Sequence, residues 1–131
     1  MTRRFGIDTS VLVRLLTRHP EAEFEHCVSR LLELVDEGDE VFASNQVIGE
    51  TYVAVQHHYG VSKADARASL RDALRSGLVA PLNGRSVIAA LEATGGPGLF
   101  DRLIADGYTR EGLEVLTLDR QMAGLADVRR L

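Results

Sequence analysis

The chain has 131 residues, which is typical of one compact domain, and its 45% hydrophobic content suffices for a buried core. The single cysteine, Cys27, excludes an internal disulfide and a thiolate zinc cluster, and the 5% aromatic content without Trp argues against a platform for stacking single-stranded bases. No apolar run approaches the roughly 20 residues of a membrane span, and Asp8 interrupts a signal-peptide core, so we expect a cytoplasmic protein.

The first half of the chain alternates between strand and helix signals. The predicted elements are a short strand at 5–7, helices at 11–17 and 21–37, a strand at 40–44 and a helix at 46–60. Thr9 or Ser10 is predicted to cap the first helix, and Ser44 and Asn45 the third.

The second half continues the same alternation. Ser62 is predicted to cap a helix at 63–77, and Pro81 limits the following strand to the edge of a sheet. The remaining predicted elements are helices at 85–94 and 99–109, a strand at 113–119, a short helix and a final edge strand at 127–131. This order predicts one domain over residues 1–131, an α/β sandwich of three layers with a mostly parallel central sheet.

Two aspartates end predicted strands. Asp8 follows the first strand and Asp119 ends the last long one. Ligands of open parallel sheets bind beyond the carboxyl ends of the strands, so both acids are expected to face the same crevice. Carboxylates that lie close together repel each other, and a divalent cation relieves that repulsion.

Two further acids fit such a position. Glu50 lies early in the third helix, inside the apolar stretch "VIGETYVAV" without a basic neighbour, and Asp101 lies in the first turn of a helix, where the helix dipole favours an anion. Each of them is equally compatible with an ordinary surface acid. Asp106, five residues after Asp101, is a weaker reserve ligand.

These four acids occur in motifs that resemble those of PIN-domain ribonucleases. The motifs are "IDTSVLV" with Asp8, "VIGETYV" with Glu50, "LFDRLIA" with Asp101 and "LTLDRQM" with Asp119. In size and spacing the chain is most similar to the VapC toxins of bacterial type II toxin–antitoxin systems, and the resemblance covers nearly its whole length.

The resemblance implies a metal-dependent endoribonuclease that a cognate antitoxin protein holds inactive, commonly as a homodimer. Asp8, Glu50, Asp101 and Asp119 would then hold Mg²⁺ or Mn²⁺, and the hydroxyls of Ser10 and Thr117 would support the site. Whether one or two ions bind stays open, because the second acid that many relatives carry near Asp101 is missing here.

The chemistry of phosphodiester hydrolysis agrees with an all-oxygen site. Mg²⁺ or Mn²⁺ polarises the phosphate and lowers the pKa of water, which would leave a 3′-hydroxyl and a 5′-phosphate. Without the four implied ligands, the remaining 15 acids equal the 15 Lys and Arg residues, which eases the objection that the net charge of −4 raises against an RNA substrate. Arg14, Arg102 and Arg120 are candidates for phosphate contacts.

Three other functions share some of these sequence features. A haloacid-dehalogenase-type phosphatase needs a second aspartate where Ser10 stands, and a response-regulator receiver needs a late lysine, whereas the only lysine is Lys63. The stronger alternative is a PIN-like module that binds RNA or protein without catalysis. Apolar residues of the two early helices, among them Leu16 and Leu32, exceed what one buried stripe needs, and they fit a groove for an antitoxin segment as well as they fit the core or a homodimer interface.

Overall fold

The computed structural model describes residues 1–131 and contains six α-helices, five short strands and one 3-10 helix. The strands are β1 (Arg4–Gly6), β2 (Glu40–Ala43), β3 (Ala80–Pro81), β4 (Val115–Thr117) and β5 (Val128–Arg130). The helices are α1 (Thr9–Thr17), α2 (Glu21–Asp36), α3 (Asn45–Tyr59), α4 (Lys63–Leu74), α5 (Arg85–Glu92) and α6 (Leu99–Arg110), and the 3-10 helix spans Met122–Gly124.

The predicted fold class is confirmed: parallel strands packed with helices, as in a three-layer α/β/α sandwich. The strands nevertheless form two sheets, one with β2 between β1 and β3 and one with β4 and β5. The expectation that β1 and β4 belong to one sheet is therefore wrong. The reason lies in packing, because Val115 of β4 is buried in a small cluster with Ala105 and Met122, apart from the main core.

The main core draws on every α-helix. One buried side chain from each of α1 to α6 is, in order, Leu12, Leu31, Ile48, Leu70, Val87 and Leu103. The first sheet adds Val41 and Ala43 from β2. Helix α3 is the most deeply placed, with five buried residues including Thr51, so its position is fixed on several sides at once. None of the helices combines the length and apolar composition that a membrane span requires.

The predicted N-terminal caps of two helices are confirmed. The hydroxyls of Ser44 and Ser62 cap α3 and α4 by accepting the N–H groups of Val47 at 3.2 Å and Asp65 at 3.1 Å. The prediction that Pro81 lies in an edge strand is also confirmed, because β3 is an outer strand of its sheet.

The start of α1 differs from the prediction that Thr9 or Ser10 is its cap. Asp8 has extended backbone, and its carboxylate accepts the N–H of Val11 at 3.4 Å, so the helix already begins at Thr9. The hydroxyl of Ser10 donates to Asp8 itself and is not available for capping. The carboxylate after β1 is therefore explained in part by its role at the helix start.

We expect Asp8→Asn to retain the stability of the protein, because an asparagine side chain accepts the same N–H. Asp8→Ala should lower the free energy of unfolding by about 1 kcal/mol, which is typical for the loss of a cap. Urea unfolding of both variants measures the difference, with Asp36→Ala at the exposed end of α2 as the control. Equal stability of the Asn and Ala variants would show that Asp8 does not cap the helix.

Candidate active site

Asp8 stands at the junction of β1 and α1 and is exposed to solvent. Its Oδ1 atom accepts both the Ser10 hydroxyl, at 2.5 Å, and the Val11 N–H. The Ser10 hydroxyl and then the Val11 N–H lower the pKa of Asp8 below its ordinary value, because both bonds favour the charged form. Asp8 is thus ionised at neutral pH, and its Oδ2 atom takes part in neither bond.

Glu50 is the sixth residue of α3 and is also exposed. The Thr9 hydroxyl donates to its Oε2 at 2.7 Å, and the Gln46 amide donates to its Oε1 at 3.0 Å. The bond from Thr9 and then the bond from Gln46 lower the pKa of Glu50. Because Thr9 directly follows Asp8, this bond joins the first turn of α1 to α3 and ties Glu50 to the chain segment that carries Asp8.

Asp101 lies in the first turn of α6 and is half-buried. The preceding residue, Phe100, rests its ring on Gly49, the residue before Glu50. The neighbouring Arg102 does not pair with Asp101, because its guanidinium donates to the backbone carbonyls of Gly95 at 2.9 Å and Pro97 at 3.0 Å. The contact between α3 and α6 therefore brings the chain segments that carry Glu50 and Asp101 together.

Asp119 follows β4 in an exposed turn. Its Oδ1 atom accepts the N–H groups of Gln121 at 2.8 Å and Met122 at 3.0 Å, and this turn leads into the 3-10 helix. Its own N–H donates to the Thr117 hydroxyl at 3.0 Å. As at Asp8, one carboxylate oxygen shapes the local backbone, and Oδ2 takes no part in these bonds.

The structure ties Glu50 to Thr9, the neighbour of Asp8 in the chain, and the packing of α3 on α6 brings the segment that carries Asp101 next to that of Glu50. Asp119 instead follows β4, a strand of the second sheet. No three His, Cys, Asp or Glu side chains come together closely enough to hold a metal ion. The donor chemistry nevertheless fits a hard cation, since carboxylates and hydroxyls are the ligands that Mg²⁺ and Mn²⁺ prefer. The ligand roles of the four acids, and the supporting roles of Ser10 and Thr117, remain predictions.

The arginines proposed for phosphate contacts differ in their surroundings. Arg14 forms an ion pair with Glu23 at 2.9 Å and also donates to the carbonyl of His19. Arg102 is held by the two carbonyls before α6. Arg120, next to Asp119, is exposed and free of such bonds, so it is the best placed of the three for an incoming phosphate.

Asp106, the reserve ligand, has a different set of partners. Its Oδ2 atom accepts the amide N–H groups of Asn45 at 2.8 Å and Asn83 at 3.0 Å. Burial opposes its ionisation, but the surrounding hydrogen bonds and the positive charge of Arg110 outweigh burial, so the pKa of Asp106 is lowered. Asp106 thus links the start of α3 to α6 through its Oδ2 atom, and its place as a reserve ligand stays a prediction.

Sequence reasoning missed several residues that build this site. Thr9 and Asn45 act through contacts with distant residues that no local pattern identifies. Gln46 lies four residues before Glu50 on the same helix, a spacing that the sequence does show. Gly49 inside a helix was another visible signal, because glycine weakens helices. Asn45 also donates to the carbonyl of Leu103 at 2.9 Å, which adds a second bond between α3 and α6.

Comparison with known proteins identifies the family. No curated protein and no solved structure matches the chain significantly. A model of the PIN domain matches residues 6–128, a range that includes all four acids. The match covers nearly the whole chain, so the protein belongs to the PIN domain family, a superfamily of nucleases.

Proposed function

We propose that this protein is a metal-dependent endoribonuclease that hydrolyses RNA phosphodiester bonds with Mg²⁺ or Mn²⁺. The observation that carries the proposal is the Thr9 hydroxyl, which follows Asp8 and donates to Glu50 at 2.7 Å. It ties Glu50 to the neighbour of Asp8 at the carboxyl ends of the strands of the first sheet, where ligands of parallel sheets bind. Membership of a nuclease superfamily supports the reaction class.

The chain's own groups are suited to holding a cation and not to donating a proton. Because the pKa values of Asp8 and Glu50 are lowered, both side chains only accept hydrogen bonds at neutral pH. Ser10, Thr9 and Gln46 fix their orientation before a ligand arrives. A divalent cation bound there would supply positive charge to the phosphate oxygens and make water more acidic. We propose that Asp101 and Asp119 complete the ligand set.

Substrate has open access to Asp8. A cavity of about 540 Å³ lies beside it, with Arg4, Phe42, Ser44 and Leu82 among its lining residues. The Arg4 guanidinium lies over the Phe42 ring, 4.8 Å from its centre. This volume suits one nucleotide, and an arginine on an aromatic ring offers charge and stacking to a nucleic acid strand.

We expect purified protein with Mn²⁺ to cleave RNA into fragments with 5′-phosphates, and Glu50→Gln to lower the rate about a hundredfold or more. The physical reason is that charge stabilisation by a metal is worth several kcal/mol. The matched control is Glu25→Gln, an exposed acid on α2, which should cleave like the wild type. Sequencing of fragment 5′ ends measures the cleavage.

Two results would count against this proposal. Cleavage that persists in Glu50→Gln would remove Glu50 from the site. RNA binding by the wild type without any metal-dependent cleavage would favour the alternative of a PIN-like binding module.

We further propose that the protein is the toxin of a toxin–antitoxin pair. The motif resemblance to VapC proteins supports this role. A cavity of about 420 Å³ between α1, α2 and α4 offers an apolar groove, with Leu15, Leu16, Phe24 and Val28 among its lining residues. Of the early-helix residues expected on a partner surface, Leu32 is exposed and Leu16 is partly buried in this groove. An amphipathic antitoxin segment would use such a surface.

A homodimer is part of the same proposal. Leu113, Leu116 and Leu118 near β4 are 52%, 60% and 75% exposed, which leaves an apolar surface beside the second sheet. Contact with a second copy of the chain would remove this surface from water.

Expression of the wild type should arrest bacterial growth, and Glu50→Gln should not, because the damage would come from RNA cleavage. Co-expression of a small reading frame directly upstream of the gene should restore growth. Colony counts and growth curves measure both effects. Equal toxicity of wild type and Glu50→Gln would separate toxicity from cleavage and contradict the toxin proposal.

A further inference from the structure

We propose that Phe100 is a positioning residue that sets the distance between Glu50 and Asp101 by packing its ring on Gly49. This inference rests on the proposed function, since it assigns Glu50 and Asp101 to one metal site. Phe100 and Gly49 touch neither substrate nor metal. They act through the residue that follows each of them in the chain.

The contact is unusually close. A Cβ atom at Gly49 would lie 2.8, 2.9 and 3.0 Å from three carbons of the Phe100 ring. Real Cβ atoms essentially never come within 3.0 Å of another heavy atom, so every residue except glycine displaces the ring. Phe100 is 37% exposed, and the tip of its ring lies directly on the backbone of α3, so the ring forms the contact between α3 and α6 at this level.

Glycine is unfavourable inside a helix, so its presence at position 49 indicates that the contact with Phe100 matters. Gly49 lies inside α3, where glycine is less favourable than alanine because it loses more backbone entropy on folding. It is buried and has an ordinary helical conformation, so no turn or left-handed backbone requires it. The close approach of Phe100 is the feature of the structure that accounts for it.

The contact lies at one end of the interface between α3 and α6. At the other end, Asn45 donates to Leu103 and Asp106, and these bonds do not depend on the ring. Arg102 ties the start of α6 to the carbonyls of Gly95 and Pro97 in the preceding segment. A displaced ring would thus open the interface at the end that carries the two acids while the Asn45 end stays closed.

The test uses the full chain with Gly49→Ala, Phe100→Leu and the double variant. We expect each single variant to weaken Mn²⁺ binding, measured by calorimetry, and to lower kcat roughly tenfold to a hundredfold with little change in KM, since a displacement of about 1 Å can cost about a hundredfold. In the double variant the smaller leucine leaves room for the new methyl group, so both Mn²⁺ affinity and kcat should recover in part.

Tyr108→Leu is the matched control, because it makes the same aromatic-to-leucine change two turns along the exposed face of α6. It should leave Mn²⁺ affinity and kcat unchanged. If Gly49→Ala does not fold, Phe100→Leu alone still decides the matter, because it removes the ring without adding an atom.

The outcomes separate this inference from the proposed function. A wild type that binds Mn²⁺ and cleaves RNA, together with single variants that do the same, overturns the positioning role and leaves the function intact. Losses that simply add in the double variant, without recovery, also overturn the role. A wild type that neither binds Mn²⁺ nor cleaves RNA overturns both.

Discussion

The parallel pairing of β1 with β2 is the interaction on which the site depends. Gly6 lies opposite Phe42, and the N–H of Ile7 donates to the carbonyl of Phe42 at 2.9 Å. The pairing brings Asp8 and Ser44, which follow the two strands, to the carboxyl end of the sheet. Each of them caps the helix that comes next. Helices α1 and α3 consequently begin side by side, which is why Thr9 can reach Glu50.

In Asp8 and Asp119, the two acids that follow strands, the two carboxylate oxygens have different roles. Asp8 and Asp119 each use Oδ1 to accept bonds that shape the chain after the strand. Their Oδ2 atoms take no part in those bonds. The same carboxylate can therefore organise the local backbone and offer a ligand oxygen. In this arrangement a structural role for Asp8 or Asp119 does not compete with a role in metal binding.

The fold class and several local features were predictable from the sequence, whereas the cap of α1 and the division of the strands into two sheets were not. The caps at Ser44 and Ser62 and the edge position of Pro81 depend on neighbours within a few residues, and they were predicted correctly. The separation of β4 and β5 into a second sheet depends on which distant surfaces bury Val115, and no local pattern encodes this choice.

The same distinction applies to the site. Family motifs identified the four acids, and some groups that orient them are close in sequence, such as Ser10 for Asp8 and Gln46 for Glu50. The bonds between elements instead come from far along the chain: Thr9 and Glu50 are 41 residues apart, and Asn45 and Asp106 are 61 apart. The contact of Gly49 with Phe100 is equally remote in sequence. Sequence reasoning could thus name the candidate ligands but not the packing that positions them.

Anomalous diffraction from crystals soaked in Mn²⁺ would test the central claim that Asp8 and Glu50 form one cation site. The account predicts an anomalous peak about 2.0 to 2.6 Å from a carboxylate oxygen of Asp8, with Glu50 as a direct ligand or one water away. A peak only elsewhere on the protein would contradict this claim. So would well-ordered Asp8 and Glu50 side chains with no peak beside them at millimolar Mn²⁺.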